Sequence, residues 1–135
     1  MKLCMSIQSP IKVICALIEY TEGVLVVQRS SIMKQPLKWE FPGGKLEDGE
    51  TEEECIIREI KEELDMVIKP IQRLEPSIFS YPNITIELIP YISKHIEGDP
   101  VLNEHKAFLI LDNEKLSSLD WAEADIPIVN EYIKL

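Results

Sequence analysis

The chain has little of what holds small secreted or metal-stapled domains together. It carries three cysteines, Cys4, Cys15 and Cys55. Their number is odd and no CxxC pair occurs, so a zinc ribbon or a thioredoxin-like redox site has no basis. Free thiols fit a reducing, cytoplasmic setting. Long apolar runs are missing as well. No stretch approaches the roughly 20 residues needed for a membrane-spanning helix. The start, Met1–Ile7, lacks the apolar core and cleavage-like site of a secretory signal. Positive charge is scarce, with 14 basic residues against 24 acidic ones and a net charge of −10. A field of that sign disfavours nucleic-acid polymers and membrane surfaces as partners. It admits a small phosphorylated ligand where cations neutralise the site locally. Repeats, low-complexity tracts and interdomain linkers are also absent from the sequence.

What is present suits one globular domain spanning 1–135. Apolar residues make up 45% of 135 positions, and a domain of this size buries roughly two-thirds of its unfolded surface. The run from Ile11 to Tyr20 and the segment Val24–Arg29 flank Thr21-Glu22-Gly23 and predict a hairpin. Trp39-Glu40-Phe41 reads as a short extended piece that Pro42-Gly43-Gly44 breaks. Thr51-x-x-Glu54 matches a capping box. Ile56, Ile57, Ile60 and Leu64 follow at helical spacing, and Pro70 sets the latest end. Segments 71–79 and 84–92 predict strands around Tyr81-Pro82-Asn83, and 107–111 predicts a buried strand. Asp112 and Asp125 are candidate helix caps, with Pro127 in the first turn of the last helix. Together these elements predict an α/β fold, a mixed β-sheet sandwiched between helices.

The chemistry concentrates between residues 44 and 66. Glu59, Glu62 and Glu63 lie at offsets of three and four on one flank of the predicted helix, away from the Ile56/Ile60/Leu64 stripe. Like charges so placed repel one another unless a divalent cation sits among them. Carboxylate oxygens on a rigid helix suit Mg²⁺ or Mn²⁺. The glycines of Pro42-Gly43-Gly44 would let backbone approach a phosphate closely. Taken alone, each feature also has an ordinary reading: a solvated acidic helix face and a turn.

The full spacing narrows the choice. Gly44-x5-Glu50-x7-Arg58-Glu59-Ile60-x-Glu62-Glu63-x-Asp65-Met66 resembles the Nudix box. Every polar position of that pattern is present, and the penultimate glycine is replaced by Asp65. A helix-ending left-handed residue is expected there, which aspartate tolerates better than most. The resemblance implies the Nudix fold and an Mg²⁺-dependent hydrolase acting on a small nucleoside phosphate substrate, as a monomer or homodimer. It makes Glu59, Glu62 and Glu63 the expected metal-binding side chains, with the Gly43 carbonyl as another ligand. It pairs Arg58 with Glu50, a fork holding a carboxylate; without the resemblance this is an ordinary surface ion pair.

Within the family the chain is similar to the MutT-type branch, whose members convert non-standard nucleoside triphosphates to monophosphate and pyrophosphate. Trp39-Glu-Phe-Pro-Gly-Gly-Lys45 matches that branch's entry into the box. The resemblance assigns Arg29, Glu40, Phe41 and Pro42 to the border of the nucleotide, and Glu104 to a late position near the metals. Asp125-Ile-Pro-Ile-Val-Asn130 resembles the base-reading run of the 8-oxoguanine-specific enzymes, with Asn130 as reader, since an amide donates and accepts at once. By residue type alone, Arg29 is a strand-end charge, Phe41 a core residue, Glu104 a solvated loop carboxylate and Asn130 a solvent-facing polar residue. Asn103-Glu104-His105-Lys-Ala-Phe and Trp121-Ala-Glu-Ala-Asp-Ile-Pro are also similar to CTP-type pyrophosphohydrolases, a competing resemblance. 8-oxo-dGTP sanitation is thus the leading reading. A CTP or modified-pyrimidine triphosphate enzyme, or a nucleotide-sensing domain without hydrolysis, is the alternative. His95 and His105 lack metal-ligand spacing and receive no role.

Overall fold

A computed structural model describes residues 9–135; Met1–Ile7 and Cys4 lie outside the described residues. The apolar run after Ile11 forms strand β1 (Ile11–Glu19), and both of its faces are covered. Ile14, Ala16 and Ile18 pack into a core shared with helix α1 (Glu52–Leu64). Cys15 and Leu17 pack into a second core with Leu116, Trp121 and Ile128. Continuous rather than alternating apolarity is what burial on two faces demands. Strand β1 runs parallel to β7 (Ile84–Glu97), from Ile11 opposite Ile86 to Glu19 opposite Lys94. Strands β5 (Val67–Arg73) and β6 (Ser77–Tyr81) pair antiparallel with β7.

The predicted hairpin survives only at its tip. Glu19 opposite Val24 is the one pairing between β1 and β2 (Val24–Gln28). Beyond it the strands part. Strand β2 pairs with β3 (Trp39–Glu40) and β8 (Ala107–Leu111). The vacated edge of β1 is taken by β4 (Gly43–Lys45), with Gly44 opposite Ile14 and Gly43 opposite Cys15. The glycine pair therefore continues the sheet rather than breaking it. A Cβ at Gly43 would stand 1.9 Å from the Ile14 carbonyl oxygen, so only glycine lets the strands approach this closely.

The layers match the expected α/β/α arrangement of a mixed sheet. Helix α1 covers one face; a 3₁₀ segment (Asn113–Ser118) and helix α2 (Ile126–Tyr132) cover the other. Three local readings need correction. Strand β8 lies at the margin: Ile110 and Leu111 pack against the two cores, while Phe108 and Leu109 are 36% and 39% exposed. Strand β5 begins at Val67, and Pro70 sits inside it beside a register shift, where a missing amide is tolerated. Asp125 does not cap α2: its Oδ2 accepts a hydrogen bond from the Phe41 amide, 3.0 Å away.

Candidate active site

Helix α1 starts as its sequence dictates. The Thr51 hydroxyl accepts from the Glu54 amide at 3.0 Å, and Glu54 Oε1 accepts from the Thr51 amide at 2.9 Å. The helix ends at Asp65, whose φ of 54° is left-handed. Its apolar side buries Cys55, Ile56, Ile60 and Leu64, and this turns the acidic flank toward β4.

Arg58 is the hub of that flank. Its Nε and Nη2 donate to the two oxygens of Glu50 at 3.0 and 2.7 Å, and Nη1 donates to Glu59 at 2.9 Å and Glu62 at 3.2 Å. Nη2 also reaches the Lys45 carbonyl on β4. The Arg58 hydrogen bonds hold the Glu50 carboxyl down at about 2, with the Glu47 amide adding to the effect. The Arg58–Glu50 pairing expected from the resemblance is thus present as a two-pronged fork.

Glu59 and Glu63 face inward, whereas Glu62 is 59% exposed. The Glu59 carboxylate lies over Gly44, where a Cβ would come within 2.2 Å of its Cδ. The second glycine of the pair is therefore a cradle for a carboxylate. Burial raises the Glu59 pKa despite Arg58. Glu63 is pushed much further, to about 9, by burial first and then by Glu59, Glu104 and Glu40; the Gly43 amide opposes the shift. Its Oε1 is buried without a partner among the described residues. No three His, Cys, Asp or Glu side chains among the described residues stand together as a ready metal cage; Arg58 draws Glu59 and Glu62 to itself. An orphaned carboxyl oxygen among like charges is nonetheless what a hard divalent cation would satisfy, so the donor set fits Mg²⁺ or Mn²⁺.

The loop after β7 docks on the end of α1. The Val101 amide donates to the Leu64 carbonyl at 2.9 Å and Asn103 Nδ2 to the Glu62 carbonyl at 3.0 Å, filling helix-end acceptors. Glu104 is thereby brought into the field felt by Glu59 and Glu63.

Beside the flank opens a cavity of about 500 Å³. Of the residues the sequence singled out, Arg29, Glu40, Phe41, Gly43, Glu63 and Glu104 line it. Arg29 Nη1 donates to Glu40 Oε1 at 2.9 Å. Pro42 does not line the cavity; it is buried and its carbonyl accepts from the Ala16 amide. Asn130 is exposed on the outer side of α2 and is not part of the wall, because Ile128, Val129 and Tyr132 occupy the helix's inner side. The cavity wall instead includes Asp125, whose burial raises its pKa well above the ordinary aspartate value, with Glu40 adding to the shift. His105, Tyr81 and Lys45 also line it without having been singled out. The quoted run around Glu104 contained His105, and Asp125 opened the run that ends at Asn130, where it was read as a cap that does not form.

A model of the NUDIX domain family matches residues 9–131. The chain belongs to the Nudix family and is a Nudix hydrolase. It is 28% identical over 125 residues to the CTP pyrophosphohydrolase of Escherichia coli (strain K12), covering 93% of each chain. It is 27% identical over 112 residues to the 8-oxo-dGTP diphosphatase of the same organism, covering 83% of this chain and 87% of that one. Its fold superposes with a TM-score of 0.77 on the solution structure of the MutT protein, a Nudix hydrolase of methicillin-resistant Staphylococcus aureus 252. That comparison covers 95% of this chain and 98% of the other at 37% identity. Among the described residues no helix is long and apolar enough to cross a membrane.

Proposed function

We propose that the chain is a Mg²⁺-dependent nucleoside triphosphate pyrophosphohydrolase that removes oxidised or non-standard nucleotides such as 8-oxo-dGTP from the precursor pool, a role tied to DNA repair and the cytoplasm. The observation that carries this reading is the junction of an open cavity with an acidic flank at Glu63. The base and sugar would enter among Phe41, Arg29, Glu40 and Asp125, and the triphosphate would extend toward α1. Glu59, Glu62, Glu63 and the Gly43 carbonyl would hold the cation, which would neutralise the polyphosphate and lower the pKa of water. Arg58 and Glu50 keep the flank in shape. A water oxygen attacks the β-phosphorus, the bond to the α-bridging oxygen breaks, and nucleoside monophosphate leaves. A glutamate of the flank, or Glu104, takes the proton.

CTP or a modified pyrimidine triphosphate is the second reading, and Asp125 favours keeping it. Burial favours the protonated form of Asp125, and a protonated carboxyl would present one donor and one acceptor. That pair suits the O6/N7–H edge of an oxidised guanine, and equally the N3/N4 edge of cytosine. The exposed position of Asn130 removes the argument that distinguished the purine. Competitive hydrolysis of 8-oxo-dGTP, dGTP, CTP and 5-hydroxy-CTP, followed by pyrophosphate release, ranks these substrates. Release of pyrophosphate from none of them, with nucleotide still bound, would replace the enzyme reading by a nucleotide-sensing one.

A further inference from the structure

His105 is almost wholly enclosed, with its side chain 4% exposed. It reaches across the cavity wall from the loop that docks on α1. Its Nε2 lies 2.8 Å from Glu40 Oε2, while Arg29 holds Glu40 Oε1 at 2.9 Å. A carboxylate paired with a guanidinium can only accept. The ring hydrogen therefore sits on Nε2, and His105 donates. Nδ1 is buried without a partner among the described residues, and this tautomer leaves it a bare lone pair rather than an orphaned N–H. Both Glu40 oxygens are thus engaged by side chains from opposite ends of the sequence. Arg29 is held in turn, since its Nε–H donates to the Lys34 carbonyl of the loop lining the cavity. Two residues earlier on the same loop, Asn103 is bonded to the carbonyls of Glu62 and Glu63. Residues 103–105 therefore bridge the acidic helix to the Arg29–Glu40 pair.

We infer that His105 is a positioning residue for nucleoside binding, acting through Glu40 to aim Arg29 into the cavity. The inference rests on the hydrolase reading above. Among the described residues the ring makes no hydrogen bond to the acidic flank or its carbonyls, so its loss falls on binding rather than on the chemical step. Steady-state kinetics test this on the wild-type chain and on H105L, H105N and H105Q, alone and combined with E40Q. Leucine removes the donor, asparagine keeps polarity but is too short to reach Glu40, and glutamine returns a donor near the Nε2 position. Losing one charge-assisted hydrogen bond corresponds to roughly a tenfold rise in KM for the preferred triphosphate, with kcat within about twofold. H105N shows the same split, and covers the case of a poorly folded H105L. H105Q returns toward wild type, and H105L adds nothing once Glu40 is Gln. An active wild type whose H105L and H105N keep their KM, lose kcat instead, or add fully to E40Q overturns the inference alone. A wild-type chain inert on every triphosphate overturns the hydrolase reading and this inference with it.

Discussion

The acidic flank comes from one short stretch of chain, whereas the cavity is gathered from its whole length. Arg58 reaches Glu50 across 8 positions of sequence. The Glu40–His105 contact spans 65 positions and the Phe41–Asp125 contact 84. The electrostatics differ as sharply. The flank crowds carboxylates until burial and mutual repulsion push Glu63 to about 9. In the cavity Glu40 has an external partner on each oxygen. Glu63 carries unresolved repulsion, whereas Glu40 is already paired. On the proposed function this contrast would separate reactivity from recognition within one small fold.

Glu63→Gln attacks the contrast at its centre. Turnover is expected to fall about a thousandfold, the scale of losing a general base or an equivalent metal-holding group. The same change removes a charge the metal-free fold disfavours. Because the folded pKa lies above the unfolded one, ionising Glu63 erodes stability as pH rises from about 4.5 toward about 9. Glu63→Gln is therefore expected to melt higher than wild type at pH 8 in chelator, by roughly 2–6 °C. Near-wild-type kinetics would remove Glu63 from the site, and an unchanged melting point would remove the repulsion.

Arg58→Lys keeps the charge and loses the fork. A roughly tenfold to hundredfold drop in kcat is expected, with KM for nucleotide little altered; a pure KM effect would contradict the flank's assignment. Asp125→Leu changes recognition instead. It removes the polar group from the cavity wall, so kcat/KM for the preferred triphosphate falls by about tenfold, readable in the competitive assay. An unchanged kcat/KM would take Asp125 out of base recognition.

Acid titration probes the fork more gently. Arg58 lowers the Glu50 pKa to about 2. The stabilisation is present above pH 4.5, the ordinary value, and lost as pH falls toward about 2. Glu50→Gln should melt lower than wild type at neutral pH, with the gap closing in acid. A constant gap would mean that the pair contributes only packing. Asn130→Ala is the smallest change. An exposed helix residue outside the wall should leave KM within about twofold, and a tenfold rise would return Asn130 to the binding site.

Legibility followed the same division. The helix and its capping box were readable because local spacing on a helix dictates proximity. The left-handed end at Asp65, the Arg58–Glu50 pair, Arg29 and Phe41 were readable only through the resemblance. The contacts of His105 and Asp125 were not, since neither has a sequence neighbour that reveals its partner. The misread elements share a cause. Gly43–Lys45 became a strand because β1 and β2 diverge, and β8 lost part of its expected cover because it pairs at a margin. An apolar run states that a segment is strand-like, and leaves its neighbour undetermined.

The sequence by itself determined the apolar strands, the amphipathic helix and the order of charges along it, because these follow from period, capping and side-chain chemistry within a few residues. Tertiary structure alone decided which loop closes the cavity, that Glu40 is gripped from both sides, and that Asp125 rather than Asn130 meets its interior. Those outcomes depend on how layers stack and which distant surfaces exclude water together, and no short stretch of chain encodes that.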